Sequence, residues 1–187
     1  YEEPFSDSSQ IPTYLVSSMA RQHVTVSLSG DAGDEIFCGY NRYILTAKLW
    51  RKLNRVPMIL RKLLSMLLIA VPVSTWNRVA FLLPKRWRLN NLGDKLHKAA
   101  MVVTCSSVEK LYLGLVSHWQ QPELVVLDST EPLSAITDPA RKACFDDDVQ
   151  QMMAQDTLSY LPDDILAKVD RAAMAVSLET RVPFLDP

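Results

Sequence analysis

Only one stretch of this chain reads as a β-strand, and that constrains the fold more than any other feature. Val24-Thr25-Val26-Ser27-Leu28 alternates, is β-branched and is short, the pattern of a strand with one face buried. A single strand cannot make a sheet. Its partners therefore lie outside the chain or in segments whose pattern does not declare them.

Almost everything else has helical periodicity. Helices are expected over 11–22, 42–54, 57–70, 74–83, 91–103, 107–119, 146–160 and 163–177, with another starting near Asp34. Ser74 suits an N-cap, Ser106 with Glu109 suits a capping box, Pro84 stops one helix and Pro139 opens another. Leu161-Pro162 splits the last two helices, and Val182–Leu185 is expected to be extended because Pro183 biases its predecessor away from helix. Residues 120–137 read as a loop. Residues 63–73, LLSMLLIAVPV, are the most apolar run. At this length they fall short of a membrane span and read as a buried or interface helix.

The charge is unevenly placed. The chain of 187 residues carries a net charge of −1, but residues 1–40 hold one basic and six acidic side chains, residues 41–110 hold 14 basic and two acidic, and residues 111–187 hold five basic and 13 acidic. A basic helical module for nucleic acid or an anionic surface would suit Arg42, Lys48, Arg51, Lys52 and Arg55 with Trp50 between them. No nucleic-acid motif accompanies them, so neither a nucleic-acid nor a membrane partner is expected. Cys38, Cys105 and Cys144 are an odd number without a CxxC spacing and read as free thiols in a reducing compartment.

Three constellations can carry chemistry. Ser29-Gly30-Asp31-Ala32-Gly33-Asp34-Glu35 directly follows the strand and enters a helix, an arrangement that offers backbone N–H groups to a phosphate. Its three carboxylates would repel a bare phosphate, so the segment suits a nucleotide with Mg²⁺ between carboxylate and phosphate oxygens, or else a solvated acidic helix start. On the helix at 163–177, Asp164, Lys168, Arg171 and Ala175 share one face, and Lys168 and Arg171 could meet one anion. The plainer reading is a surface pair of Asp164 with Lys168. Glu179–Asp186 places an arginine among carboxylates around a rigid apolar segment, which suggests a buried ion pair.

Taken together, Val26–Tyr40 (VSLSGDAGDEIFCGY), Leu161–Met174 (LPDDILAKVDRAAM), Ser177–Asp186 (SLETRVPFLD) and Glu3–Ser9 (EPFSDSS) resemble, in order and spacing, the synthetase domain of glutamine-hydrolysing asparagine synthetases. The 45–145 region carries no such signature. The resemblance implies an α/β fold of the PP-loop ATP-pyrophosphatase (adenine nucleotide alpha hydrolase-like) type, of which this chain would be a mostly α-helical part with one or two parallel strands. It implies ATP and Mg²⁺ as cofactors, adenylation of a carboxylate such as aspartate or a related acid, and amide formation with ammonia from a separate glutaminase domain. Ser29 and Gly30 would contact ATP, and Asp34, with Glu35 a second candidate, would bind Mg²⁺. Asp31 would lie near the acyl-adenylate, and Lys168 and Arg171 would face the pyrophosphate or the attacked intermediate. A cytoplasmic protein follows, and a homodimer is compatible with it. A non-catalytic paralogue is the competing reading.

Two departures stand out. Some members of the family carry lysine at the position of Arg171, and members commonly carry glycine where Ala32 and Cys38 stand. The chain has no SGGxDS-type loop and no cysteine-headed glutaminase, so it is expected to be the middle-to-late part of a synthetase domain. The polypeptide by itself is expected to form no amide. ATP–pyrophosphate exchange by the isolated chain would contradict this.

Overall fold

The expected strand forms as β1, Val26–Leu28, in the computed structural model of the chain, and its partner lies in the same chain. That partner, β2, is Glu179–Arg181, parallel to β1 with Val26 opposite Glu179, Ser27 opposite Thr180 and Leu28 opposite Arg181. The Glu179 N–H donates to the Thr25 carbonyl at 3.0 Å and the Ser29 N–H to the Arg181 carbonyl at 2.8 Å. The structure describes residues 5–82, 91–117, 124–126, 128–130, 132–138, 140 and 144–186. Pro84 and Pro139 lie outside them. Among the described residues these two strands are the whole sheet, and the rest is largely helical.

In chain order the helices are α1 (Gln10–Arg21), α2 (Gly33–Ile36), α3 (Asn41–Leu53), α4 (Met58–Ala70), α5 (Val73–Leu82), α6 (Leu92–Val103), α7 (Val108–Val116), α8 (Asp148–Leu158) and α9 (Ala167–Met174). A π-helical turn, Leu161–Leu166, leads into α9. The chain divides into two units, residues 1–44 with 126–187, and residues 45–125.

In the first unit, α1 and α9 pack on each other and α9 also packs on β2. Each helix precedes a strand through a short connection, and the strands are parallel. Both helices therefore run back along the sheet, with their N-termini at the C-terminal ends of the strands. The start of α3 is fixed by a buried carboxylate. Asp156 on α8, 2% exposed, pairs with Arg42 and accepts from the Tyr43 hydroxyl at 2.6 Å. The Arg42 guanidinium stacks 4.2 Å from the Tyr40 ring and 4.8 Å from that of Tyr160, an arrangement that compensates the desolvated charge. Asp147 caps α8, accepting from the Val149 and Gln150 N–H groups.

In the second unit, neighbouring side chains hold the ends of α4 and α6. Arg61 of α4 donates to the carbonyls of Val103 (3.4 Å) and Cys105 (2.9 Å) at the end of α6, and the His97 ring on α6 meets the Val71 carbonyl after α4 at 3.0 Å. A cation suits a helix C-terminus, where carbonyls lack partners. Of the two readings of the apolar run, buried or interface helix, burial within the described residues is not what α4 shows. Arg61 and Ser65 are the buried side chains of α4, whereas Ile59, Leu63, Leu64, Met66, Leu67 and Ile69 are exposed. Gly93 allows α6 to approach α5, because a Cβ there would meet the Val73 backbone.

Several expected boundaries move. α5 begins at Val73, so Ser74 lies inside the helix. The cap of α7 is Ser107, not Ser106, and its hydroxyl accepts from the Lys110 N–H at 3.3 Å. The break between the last two helices falls at Ser159, and Pro162 sits in the first turn of the next, where its missing N–H costs nothing. Pro183–Leu185 is a 3-10 turn rather than extended. Glu179 and Arg181 do pair, at 2.8 Å, but with both side chains more than half exposed, so the expected buried ion pair is a surface pair of little energetic weight.

Ala32 and Cys38 both have positive φ, 69° and 61°, where a Cβ costs about 1 kcal/mol or more. The half-buried Cys38 is the clearer test. Cys38→Gly is expected to stabilise the chain by about 0.5–1 kcal/mol, raising Tm by roughly 2 °C. A thermal melt would check this, and a lower Tm would contradict it.

Candidate active site

The segment after β1 turns sharply. The Gly33 N–H reaches back to the Gly30 carbonyl at 3.2 Å, the Ser29 hydroxyl donates to Asp31, and the left-handed Ala32, 1% exposed, directs the chain into α2. A Cβ added at Gly30 would meet no described atom within 4 Å, so the backbone there is open to approach. Ser29 and Asp31 line a cavity of about 450 Å³ whose other walls include Pro12, Thr13 and Val16 of α1 and Val169 of α9. Ser17, Ala20, Ser27, Leu178 and Thr180 also line it, so it runs along the face of the β1–β2 pair between α1 and α9, with Ser29 and Asp31 at the C-terminal end of β1.

The three acidic residues do not converge. Asp31 turns onto Ser29. Glu35 is 2% exposed and accepts from the Tyr40 hydroxyl at 2.8 Å. Burial, reinforced by Glu35, holds the Tyr40 phenol above its ordinary range, so that hydroxyl remains a donor. Asp34 is exposed, and its carboxylate occupies the space that a Cβ at Gly39 would need. Gly39 is thus required by its neighbour. No group of three or more His, Cys, Asp or Glu side chains is gathered for a metal among the described residues.

Lys168 and Arg171, three residues apart in α9, differ in burial. Arg171 is exposed. Lys168 is 8% exposed, and its ammonium donates to Asp7 Oδ2 at 2.7 Å and to the Ser9 hydroxyl at 2.8 Å. The anticipated surface pair of Asp164 with Lys168 is replaced by this contact across the chain. Ser9 also donates to Asp7 through its N–H (2.8 Å) and its hydroxyl (2.6 Å). The Lys168 hydrogen bond, followed by those of Ser9, draws the Asp7 carboxyl down to about 2. Burial alone would depress the Lys168 ammonium, but Asp7, with Asp164 and Tyr160 adding, outweighs it and leaves the pKa above its ordinary value. Sequence reasoning marked the Asp7 block without pairing it to Lys168, because no local spacing links them.

A short parallel β-pair with helices preceding each strand, in an otherwise helical chain, is consistent with part of an α/β domain. The sequence model of the family described as asparagine synthase matches residues 1–187, and the chain belongs to that family. It is 31% identical over 198 residues to asparagine synthetase (glutamine-hydrolyzing) 1 of Bacillus subtilis strain 168, covering all of this chain and 27% of the relative. It is 34% identical over 191 residues to a putative asparagine synthetase (glutamine-hydrolyzing) of Mycobacterium tuberculosis H37Rv, covering 26% of that protein. A putative asparagine synthetase (glutamine-hydrolyzing) 2 of Methanocaldococcus jannaschii is 32% identical over 188 residues, 32% of its length. The chain thus spans about a quarter to a third of the length of the curated relatives it matches. No solved structure matches it.

The Asp7–Lys168 pair carries a definite pH dependence. Asp7 is depressed in the folded chain, so its contribution is full above its unfolded value of 3.8 and is lost as pH falls through about 2. Lys168 is raised, so its contribution is full below 10.5 and is lost only above it. The pair is therefore intact across the neutral range. Asp7→Asn is expected to cost about 1–2 kcal/mol at pH 7 after allowance for solvent screening. Urea unfolding curves of the two proteins should converge between pH 4 and pH 2. A constant gap down to pH 2 would contradict the assignment.

Proposed function

We propose that this chain is part of an ATP-dependent amidotransferase that adenylates a carboxylate, aspartate or a related acid, and forms the amide with ammonia from glutamine. In this reading the PP-loop and the glutaminase belong to other parts of the full-length protein. The observation that supports it is that the parallel β1–β2 pair brings the two motif-bearing segments together, with Ser29 and Asp31 after β1 and Val169 of α9 lining one cavity.

The residue roles follow from what each side chain can reach. The open backbone at Gly30 and the Ser29 hydroxyl would contact ATP, with Asp31 holding the turn closed and standing beside the adenylate. Lys168, kept charged by Asp7, and the exposed Arg171 would supply positive charge to the pyrophosphate, where adenylation concentrates negative charge. Mg²⁺ is commonly held by one or two carboxylates with phosphate oxygens and waters completing its shell, and the exposed Asp34 fits that requirement. Glu35, buried beneath Tyr40, does not, and is assigned to the fold. Mg²⁺ at Asp34 would offset the charge of the phosphates.

Asp34→Asn in the full-length protein is expected to lower ATP–pyrophosphate exchange by about 10²-fold or more while leaving Tm nearly unchanged. Gly39→Ala, which drives a Cβ into the Asp34 carboxylate, should lower exchange as well. An Asp34→Asn protein with undiminished exchange would contradict the metal role. Exchange screened against aspartate and uronic acids identifies the acceptor.

A further inference from the structure

Two features of Lys168 are unusual for a lysine that serves only packing. Its side chain is nearly buried, and an ammonium removed from water is costly unless it is compensated. An apolar residue of similar volume would fill the same space without that cost. The compensation comes from the N-terminal segment. Asp7 Oδ2 and the Ser9 hydroxyl accept from the ammonium, and Ser9 locks both oxygens of Asp7 by donating its N–H to one and its hydroxyl to the other. An ammonium has three N–H donors. Among the described residues two of them are used.

Other charged and titratable groups stand near the ammonium on its own helix, Asp170 and the exposed Arg171 following it. Asp164 stands one turn earlier on the same helix and Tyr160 just before it. α1, which packs on α9, has Arg21 as its single charged side chain, at its far end, donating to the Val24 carbonyl. On β2, Glu179 and Arg181 engage each other. Asp7 is thus the group that decides the state and position of Lys168.

We propose that Asp7, oriented by Ser9, is a positioning residue that fixes the Lys168 ammonium for an anionic oxygen of the substrate. The role rests on the proposed adenylation chemistry, in which Lys168 meets the pyrophosphate. It makes Asp7 and Ser9 functional elements rather than a lead-in to α1.

The test uses the full-length protein and two readouts. The first is the rate at which acetic anhydride acetylates Lys168 at pH 9, followed by peptide mass spectrometry, which needs no activity. Asp7→Asn should raise this rate at least tenfold, Ser9→Ala should raise it less, and Asp7→Glu should return it toward wild type. The second is ATP–pyrophosphate exchange as a function of pH. Asp7→Asn should lower kcat at least tenfold and move its alkaline limb to lower pH, with partial rescue by Asp7→Glu. Unchanged acetylation in both Asp7→Asn and Ser9→Ala overturns the proposal, as does raised acetylation with an unaltered exchange profile. A wild-type protein that shows no exchange with any carboxylate overturns the adenylation reading itself, and the positioning role falls with it. If Asp7→Asn does not fold, Ser9→Ala carries both readouts.

Discussion

The parallel pairing of β1 with β2 is the constraint on which the first unit depends. It joins segments near the two ends of the chain, Val26–Leu28 and Glu179–Arg181, and a parallel register cannot be made by a hairpin. The chain between them must leave and return, and the helices that precede the two strands are thereby brought side by side. That is why Asp7 and Ser9, ahead of α1, meet Lys168 at the head of α9. A pair of three-residue strands is weak alone. Its geometry is reinforced by the α1–α9 packing and by the charged bond between the two helix starts.

The acidic turn after β1 illustrates how one run of like charges can be sorted by backbone geometry. The left-handed Ala32 sets the direction of α2, so that Glu35 enters the interior while Asp34 stays at the surface. Glu35 then serves Tyr40, and Tyr40 in turn packs against Tyr43, Tyr160 and the Arg42 guanidinium. The outward carboxylate is left for chemistry and the inward one ties the turn to the packed part of the unit.

Much of this was legible in the residues, and what was not has identifiable causes. β1 and the helices declare themselves through alternation and periodicity, and the four blocks resembling the asparagine synthetases lie at the ends of the chain where the sheet forms. β2 did not declare itself because Glu-Thr-Arg is short and its outer residues are charged and exposed. The apolar majority of α4 left burial and an interface both open, and the periodicity did not show that the inward position is taken by Arg61, which satisfies the carbonyls at the end of α6. The partner of Lys168 lay beyond any local spacing rule, and the different burial of Lys168 and Arg171, three residues apart on one helix, was not marked by the periodicity. The basic middle of the chain is largely the second unit, residues 45–125, in which side chain to carbonyl bonds join α4 to α6 and α5 to α4.

The account stands on the closeness of the two motif-bearing segments through the β1–β2 pair. Amide hydrogen exchange in the full-length protein reads that pairing at the Glu179 and Ser29 N–H groups, which donate to Thr25 and Arg181. Protection of both well above that of the exposed Asp34 turn is the predicted result. Exchange of both at the rate of an unstructured chain would show that the strands do not pair, and would remove the basis for placing Ser29, Asp31 and Lys168 in one site.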